Sequence, residues 1–484
     1  MTRRIAIVGG GITGLAAAHR LGELAAEASG APPEVAIFEA APRAGGIVST
    51  AREGGLTFEE GPDSFITDKP EALALLTRLG LQDQVRGTRP EFRRSFVVRN
   101  GRPVATPEGF YLLAPTRLGP VFASPLFSPL GKLRMALEPF VPARSPRGED
   151  DDESLASFVT RRLGKETLER IAQAMVGGIY GAAPEDLSLG ATFPRFLALE
   201  REYGSVIKGL QRTRPGSTAP PGVGLQAAGA SGPRYGLFAT LAGGLQGLTD
   251  TLVSRLPAGA LRLGSMVDSV APLPGGGWSV TTRDHPPGAF DALILALPAA
   301  GAARLAAGFD PALETALGAF TSGSSVTLSL AYPASSIAHP LDGAGIVVPR
   351  AEGPALSGLI GLSFTHRKFE QRAPEGTALL RLFFDEAALA LDDDALAARG
   401  HRAASALLGA SQPPITRHAA RWPGGMPRYR VGHRARVRAA RAAAARHPGL
   451  ALAGNSYEGV GLPDCVRDGE AAARAIFEEV PRRD

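Results

Sequence analysis

The chain has 484 residues, of which 44% are hydrophobic and 20% charged, so it has the composition of a globular protein with room for two or three domains. Its net charge of +5 suits an anionic ligand or an anionic membrane surface and is too diffuse to indicate nucleic acid. The single cysteine, Cys465, excludes an internal disulfide, and no apolar run of about 18 residues predicts a membrane-spanning helix.

The first fifty residues carry a dinucleotide-binding pattern and enter a strand at once, without a signal peptide, so we expect a cytoplasmic protein. Residues 5–8 predict a strand, residues 9–14 a phosphate-binding turn and residues 15–24 a helix. Glycines let the backbone approach a pyrophosphate, whose charge lies at the helix N-terminus. An ordinary glycine-rich turn is the alternative. The contacts expected with the dinucleotide are Gly9, Gly11, Ile12, Thr13 and Gly14.

A second strand at residues 34–38 ends at Glu39, which is placed to accept hydrogen bonds from a ribose hydroxyl. Arg43 follows four residues later, and the two glycines after it allow a second close approach to a bulky cofactor whose phosphates Arg43 can face. This combination is similar to the FAD-binding region of the flavin amine oxidase superfamily, and NAD enzymes generally lack its second part. The predicted cofactor is therefore FAD, with further contacts at Glu39, Ala40, Arg43, Gly45 and Gly46.

The next segments suggest the ring end of the flavin and a substrate contact. Gly61, Pro62, Asp63 and Ser64 are interpreted as a loop facing that end, with a surface turn as the alternative. Asn100-Gly101 predicts a hairpin between strands at residues 92–98 and 102–105. Arg93 and Arg94, at its start, are either two solvated charges or partners for a substrate carboxylate.

Residues 109–142 are apolar and interrupted by prolines, which indicates either the core of a helical lobe or a surface that lies against a bilayer. Helices are predicted at residues 154–163, with Asp152 or Ser154 as N-cap, and at residues 166–176. Three glycines around an aromatic residue at 177–181 suggest, at a helix exit, backbone close to something large and flat.

The second half of the chain predicts another sheet. Residues 204–236 are interpreted as a long loop, and residues 238–248 as the start of a helix after a glycine turn. Residues 261–284 predict two strands around Gly275–Gly277, and residues 291–298 a buried strand. A helix is expected at residues 392–408. The strands of a mostly antiparallel sheet are predicted at residues 322–332, 345–349, 356–364 and 377–384.

The C-terminal end predicts a return to the cofactor. A solvated Arg/Ala helix at residues 433–446 precedes a strand at residues 449–453 and then Gly454. A glycine-dense turn before a helix at residues 468–477 has the geometry of an anion or dipole site and would face the pyrimidine and ribityl parts of a flavin. Cys465 is interpreted as a small buried residue. The residues of this turn are Gly459, Val460, Gly461 and Leu462.

With these segments in place, the chain resembles the flavoprotein protoporphyrinogen oxidases of haem synthesis over most of its length. The resemblance implies a Rossmann-like α/β FAD-binding domain (residues 1–90, 236–300 and 415–484), a mixed-sheet substrate-binding domain (91–108, 205–235 and 301–414) and a helical, membrane-docking lobe (109–204). The motifs that carry it lie at residues 9–14, 39–46, 61–65, 152–159, 178–188, 241–245, 422–433 and 459–465.

The resemblance also implies roles for single residues. Val267, Ala296 and Trp422 should contact FAD together with Gly454, and the backbone of Gly178 should lie near the reactive methylene carbon of a tetrapyrrole. Val347 and Phe369 should pack on the faces of the macrocycle. Two positions depart from the family pattern: Arg428 replaces a glutamine, and the usual propionate-binding arginine falls near Ser95, where Arg93 or Arg94 would substitute.

The function implied is the FAD- and oxygen-dependent six-electron oxidation of protoporphyrinogen IX to protoporphyrin IX, with release of hydrogen peroxide. Coproporphyrinogen III is the nearer alternative substrate, and an amine oxidase or a carotenoid desaturase the more distant alternative reading. A non-enzymatic, FAD-bearing membrane scaffold is a further one. No metal site and no nucleic-acid partner are expected, whereas a peripheral contact with the cytoplasmic membrane, a homodimer and a quinone acceptor stay open.

Overall fold

The computed structural model describes residues 2–29, 31–145, 148, 151–180, 182–213, 237–283, 285–353, 356 and 358–479. The strands, in chain order, are β1 Arg4–Val8, β2 Glu34–Phe38, β3 Thr50–Glu53, β4 Leu56–Glu59, β5 Phe65–Ile66, β6 Val85–Gly87, β7 Ser95–Arg99, β8 Arg102–Ala105, β9 Phe110–Tyr111, β10 Ala114–Pro115, β11 Phe238–Leu241, β12 Leu261–Arg262, β13 Val267–Pro272, β14 Trp278–Thr282, β15 His285–Phe290, β16 Ala292–Leu295, β17 Thr321–Pro333, β18 Gly345–Val347, β19 Leu359–Phe364, β20 Thr377–Phe384, β21 Thr416–Arg428 and β22 Leu450–Leu452. The helices are α1 Ile12–Glu27, α2 Glu71–Arg78, α3 Leu118–Ala123, α4 Pro129–Ala136, α5 Leu155–Leu163, α6 Lys165–Thr167, α7 Gln173–Tyr180, α8 Leu189–Thr192, α9 Pro194–Tyr203, α10 Val206–Arg212, α11 Gln246–Ser254, α12 Ala299–Ala306, α13 Pro311–Gly318, α14 Thr365–Lys368, α15 Asp393–Leu408, α16 His433–Ala444 and α17 Leu462–Glu479.

The first sheet is parallel throughout, with the strand order β12-β2-β1-β16-β22. Its central strand is buried on both faces, because Ile5 and Ile7 pack toward α1 and α17 while Ala6 and Val8 pack toward α12 and α13. A Cβ on Gly469 would lie 2.3 Å from the Thr13 carbonyl oxygen, so α1 and α17 touch backbone to backbone. The predicted Rossmann-like sheet is confirmed, and it draws strands from the two ends and the middle of the chain.

The second sheet has seven strands in the order β21-β17-β20-β19-β18-β7-β8, and all its pairs are antiparallel except β18 with β7. The predicted hairpin is present, since β7 and β8 join through Asn100 and Gly101, both at positive φ. The boundary expected at residue 415 is wrong by one strand, because β21 pairs along β17 and therefore belongs to this sheet.

The helices α3 to α10 form a lobe around one apolar core, to which Leu126, Phe158 and Phe196 contribute. Ser154 is the N-cap of α5 and accepts a hydrogen bond from the Ser157 backbone N–H, whereas the Asp152 carboxylate accepts one from the Gly432 N–H. No helix in the described part of the chain is long and apolar enough to cross a bilayer.

Four local predictions differ from the structure. Residues 238–241 form β11, because they pair with β5 and β6, and the helix starts only at Gln246. The last helix starts at Leu462, since Pro463 is tolerated in a first helical turn. Gly177 and Gly178 lie inside α7 and not after it, and Gly181 lies outside the described residues. The expected loop at 204–236 contains α10, and its residues 214–236 lie outside the described residues.

Candidate active site

The turn between β1 and α1 can be built only from glycine at two positions. Gly9 has φ +110°, and a Cβ there would lie 2.3 Å from the Ala296 carbonyl oxygen. A Cβ on Gly14 would lie 2.0 Å from the Gly9 carbonyl oxygen. Gly11 caps α1 without a side-chain hydrogen bond, and the first helical turn has no acidic residue. These first N–H groups and the helix dipole therefore suit an anionic group such as a pyrophosphate.

Glu39 lies beside this turn at the end of β2, as predicted. Its Oε2 accepts a hydrogen bond from the Gly10 N–H (2.7 Å) and its Oε1 one from the Ala41 N–H (2.8 Å). The Ser265 N–H donates to the Glu39 carbonyl oxygen (2.8 Å). This bond places the start of β13, with buried Val267, next to the end of β2. Each carboxylate oxygen keeps a second lone pair, so the position fits a ribose hydroxyl.

The second glycine segment contacts the first. The Gly45 N–H donates to the Gly10 carbonyl oxygen (2.8 Å), and a Cβ on Gly46 would lie 3.3 Å from Gly11 Cα. The guanidinium of Arg43 donates to the Gly46 carbonyl oxygen (2.7 Å) and lies 5.9 Å from the Trp422 ring centroid. In this structure Arg43 stabilises its own loop by bonding the Gly46 carbonyl oxygen. A contact of Arg43 with the cofactor phosphates stays a prediction.

The loop of Gly61, Pro62, Asp63 and Ser64 is half-buried and is not a surface turn. A Cβ on Gly61 would lie 1.8 Å from the Ile47 carbonyl oxygen, so this position also requires glycine. The indole Nε1 of Trp422 donates to the Glu60 carbonyl oxygen (2.8 Å). Trp422 thus joins Arg43 to the loop at Gly61, and three segments far apart in sequence meet here.

A half-buried ion pair joins that loop to the end of α14 and was not predicted from the sequence. Lys368 Nζ is 2.9 Å from Asp63 Oδ2 and also donates to Ser64 Oγ. Burial alone would raise the pKa of Asp63, but the charges of Lys368 and Arg381 outweigh it and hold that pKa well below its ordinary value. Lys368 Nζ also lies 5.1 Å from the Phe369 ring centroid, so the pair adjoins a predicted substrate contact.

The C-terminal turn reaches the same region. Gly459 has φ +142°, a Cβ there would lie 2.2 Å from Asp464 Cγ, and its N–H donates to Tyr429 Oη (2.7 Å). Asp464 is paired with Lys69 (2.7 Å). Because α17 begins at Leu462 and packs on α1, the residues 459–462 lie near the N-terminal end of α1. Gly454, whose N–H donates to Asp468 Oδ2, lies two residues after β22 on the same side.

Cys465 lies in the first turns of α17 and is buried, as predicted. Burial raises the pKa of its thiol to about 12, so the thiol stays protonated at neutral pH. Such a side chain acts as a small apolar group in the contact between α17 and α1.

The predicted substrate residues come from three elements. The helix α7, which contains Gly178, packs against β18 with Val347 and against β21. Val347 is half-buried against the core of the helical lobe, and Phe369 is buried. Tyr180, at the end of α7, has its ring centroid 5.6 Å from that of Phe193 and 6.2 Å from that of Tyr429. The helical lobe and the second sheet therefore meet beside the C-terminal glycine turn.

The arginines singled out from the sequence are exposed or paired. Arg93 and Arg94 are exposed at the start of β7, and Arg94 Nη1 is 3.0 Å from Asp342 Oδ2. Arg428 pairs with Glu386 at 2.9 Å. A role of Arg93 or Arg94 in carboxylate binding stays a prediction.

The fold and the paired glycine turns define a flavin enzyme, and comparisons with known proteins agree. The family model of flavin containing amine oxidoreductases matches residues 12–477, so the chain belongs to that family. It is 32% identical over 475 residues to a coproporphyrinogen III oxidase of Bacillus subtilis (97% of each chain). It is 34% identical to one of Propionibacterium freudenreichii (98% of this chain, 90% of that one). A crystal structure from Exiguobacterium sp. 255-15, provisionally assigned as a protoporphyrinogen oxidase, superposes with a TM-score of 0.84 at 27% identity over 99% of each chain.

Within that family the chain is one of the porphyrinogen oxidases, flavin-dependent oxidoreductases of porphyrin and haem biosynthesis, and its cofactor is FAD. The segments that the sequence predicts to hold FAD converge at one edge of the first sheet, which is the arrangement that a long dinucleotide needs.

Proposed function

We propose that this chain catalyses the oxidation of coproporphyrinogen III to coproporphyrin III, with dioxygen as acceptor. The observation that supports this most is the junction where α7 packs on β18 and β21, because β21 carries Trp422, whose indole bonds the Glu60 carbonyl oxygen next to the loop at Gly61. This junction could hold a flat, apolar macrocycle beside the cofactor segments. The chemistry that FAD supplies when bound is acceptance of hydride equivalents from the substrate and return of the electrons to dioxygen. Six electrons and six hydrogens leave the substrate in three steps, and three molecules of hydrogen peroxide form.

The residues of this chain would act by binding and orientation. Val347 and Phe369 offer apolar contacts to the macrocycle faces, and the backbone of Gly178 lies on the helix packed against the strand of Val347. The Lys368–Asp63 pair holds the loop at Gly61, so the ring end of the site is fixed before substrate arrives. A rigid site lowers the entropic cost of aligning the methylene bridges.

Protoporphyrinogen IX is the second candidate substrate. Coproporphyrinogen III comes first because both of the curated relatives described above act on it by name, and both are at least 32% identical to this chain. Protoporphyrinogen IX is supported by the assignment of the Exiguobacterium structure. The two differ in that coproporphyrinogen III has two additional propionates in place of vinyl groups, so cationic groups around the site favour it.

We also propose that the helical lobe docks on anionic membranes. Five large apolar side chains of this lobe are exposed, and two of them, Leu130 and Phe140, are 78% and 80% exposed. Lys132 and Lys208 lie among them, since Lys132 Nζ bonds the Phe122 carbonyl oxygen and Lys208 Nζ that of Pro139. Apolar side chains rimmed by lysines are typical of a peripheral membrane contact. The five exposed residues, which we name the lobe patch, are Phe122, Leu130, Leu133, Leu137 and Phe140.

Side-by-side turnover with the two porphyrinogens under air tests the catalytic proposal. Porphyrin fluorescence gives the rate, and a peroxide assay gives the stoichiometry. We expect a higher kcat/KM for coproporphyrinogen III and about three peroxides per porphyrin from the electron count. A higher kcat/KM for protoporphyrinogen IX would move the assignment to the second candidate. An absence of turnover with both would refute a porphyrinogen substrate.

A further inference from the structure

Arg195, at the start of α9, is a cation that neither the sequence patterns nor the proposed mechanism uses. Its Cζ lies 5.7 Å from the ring centroid of buried Tyr111, whose ring is 6.2 Å from that of Phe196. One guanidinium nitrogen, Nη2, is buried and has no hydrogen-bond partner among the described residues. A buried N–H group without a hydrogen-bond partner costs free energy. It therefore indicates a place where a ligand can supply an acceptor oxygen.

The carboxylate that faces Arg195 does not neutralise it. Asp68 feels the charge of Arg195, but no ion pair within 4.0 Å joins the two in the described structure. Asp68 is exposed and lies two residues after β5, and its neighbour Lys69 forms an ion pair with Asp464. Arg195 therefore faces Asp68, and the adjacent Lys69 is paired with Asp464, next to the C-terminal glycine turn.

The neighbours of Arg195 also connect it to the proposed substrate site. Phe193, two residues earlier, contacts Tyr180 at the end of α7, and Tyr180 contacts Tyr429. Arg195 is thus connected to α7 through Phe193 and Tyr180. On its other side, Asp68 faces Arg195, and the next residue, Lys69, is paired with Asp464. These contacts connect Arg195, on the side of the helical lobe, to α7 and to the C-terminal glycine turn.

We propose that Arg195 binds a propionate carboxylate of the tetrapyrrole substrate. This inference rests on the proposed function and adds a specificity residue to the same site. The planar guanidinium can donate two parallel hydrogen bonds to one carboxylate, and the ring of Tyr111 holds it in place.

Binding of the porphyrin product to the flavin-loaded protein tests this role without turnover. The probes are coproporphyrin III as the free acid and as its tetramethyl ester, and the readout is the dissociation constant from porphyrin fluorescence. R195Q should bind the free acid about tenfold more weakly than the wild type, the loss expected for a charge-assisted pair, and bind the ester equally well. R201Q, an exposed arginine on the same helix, is the control and should bind both as the wild type does.

The outcomes separate the two proposals. If the wild type binds neither probe, the proposed function fails. If the wild type binds the free acid and R195Q binds it equally well, the role of Arg195 is refuted. An equal loss for acid and ester in R195Q would also refute it, because it would indicate a structural defect. Should R195Q lose its flavin, R195K decides: it keeps the charge but not the planar fork, so we expect weaker binding of the free acid alone, and unchanged binding would refute the role.

Discussion

Tyr429 and His433 stack with ring centroids 3.8 Å apart and an interplanar angle of 16°. The Tyr429 hydroxyl donates to the Asn455 carbonyl oxygen and accepts from the Gly459 N–H, both at 2.7 Å. His433 Nε2 donates to the Tyr457 carbonyl oxygen at 2.7 Å. The two rings therefore support the C-terminal glycine turn, which gives the motif at residues 422–433 a structural role.

Replacing Tyr429 by Phe removes both hydroxyl hydrogen bonds and should weaken FAD binding. We expect about a fivefold increase in the FAD dissociation constant, because the bond to the Gly459 N–H, the one that holds the turn itself, contributes about 1 kcal/mol. Equilibrium dialysis of the apoprotein with FAD measures it. The control is Y332F. It removes a hydroxyl of the second sheet that is hydrogen-bonded to His401 of α15, and it should leave the FAD affinity unchanged. Equal FAD affinity in Y429F and the wild type would show that the hydroxyl does not hold the turn.

The pH dependence of stability should report the burial of His433. Burial lowers its pKa to about 4 in the folded chain, against about 6.5 when unfolded. Below pH 6.5 the unfolded chain binds a proton that the folded chain does not, so the free energy of unfolding falls as the pH drops toward 4. Between pH 7 and pH 5 this residue should account for about 2 kcal/mol.

Urea unfolding of the wild type and H433Q at pH 7 and pH 5 measures the contribution of His433 to the pH dependence of the free energy of unfolding. The variant should lose less stability than the wild type on acidification. H366Q should reduce the loss by a similar amount, because burial also lowers the pKa of His366 to about 4. An identical pH dependence in the wild type and H433Q would contradict the account.

Two glycines of α1 form a matched pair. Gly14→Ala should abolish FAD binding, because the new Cβ would lie 2.0 Å from the Gly9 carbonyl oxygen. Gly22→Ala, on the same helix, meets nothing within 4 Å and should stabilise the protein by roughly 0.5–1 kcal/mol, the helix preference of Ala over Gly. Flavin absorbance after gel filtration and thermal unfolding are the measurements. Retention of stoichiometric FAD by G14A would contradict the crowding seen at the turn.

The lobe patch should carry membrane binding. The double variant L130D/F140D places two charges on its most exposed residues and should lose most co-sedimentation with vesicles that contain anionic lipid. L263D/I415D introduces the same charges at two other exposed apolar positions outside this lobe and should sediment as the wild type does. Equal co-sedimentation of the two double variants would contradict the membrane proposal. It would not bear on the catalytic proposal.

The Asp63–Lys368 pair should stabilise the ring-end loop. K368M leaves the half-buried Asp63 carboxylate without its nearest cation and should lower the free energy of unfolding by about 2 kcal/mol, between the values typical of exposed and of fully buried pairs. The double variant D63N/K368M should recover part of that loss, because the uncompensated charge is gone. A double variant less stable than K368M would contradict this reading of the pair.

Local sequence patterns predict the parts of this fold that local physics determines. The strand, glycine turn and helix from Arg4 to Glu27 follow from apolar runs and from the need for glycine beside backbone oxygens. β11 was missed because its four residues become a strand only by pairing with β5 and β6, which are distant in sequence. β21 was assigned to the wrong domain for the same reason.

The site could be predicted where a motif marks it and not where only tertiary contacts do. Glycines and Glu39 carry recognisable spacing, whereas Lys368 and Arg195 belong to no such motif. Lys368 becomes informative because the fold places the half-buried Asp63 next to it, and Arg195 because one of its nitrogens has no hydrogen-bond partner in the part of the chain that the structure describes. Burial and partner geometry are properties of the assembled chain, and no spacing in the sequence encodes them.

Anaerobic mixing of the purified flavoprotein with coproporphyrinogen III tests the central claim most directly. The account predicts that the visible absorbance of the bound flavin bleaches as porphyrin fluorescence appears, and that admitting air restores the flavin absorbance. A flavin that keeps its absorbance with both coproporphyrinogen III and protoporphyrinogen IX would contradict the claim that this chain is a flavin-dependent porphyrinogen oxidase.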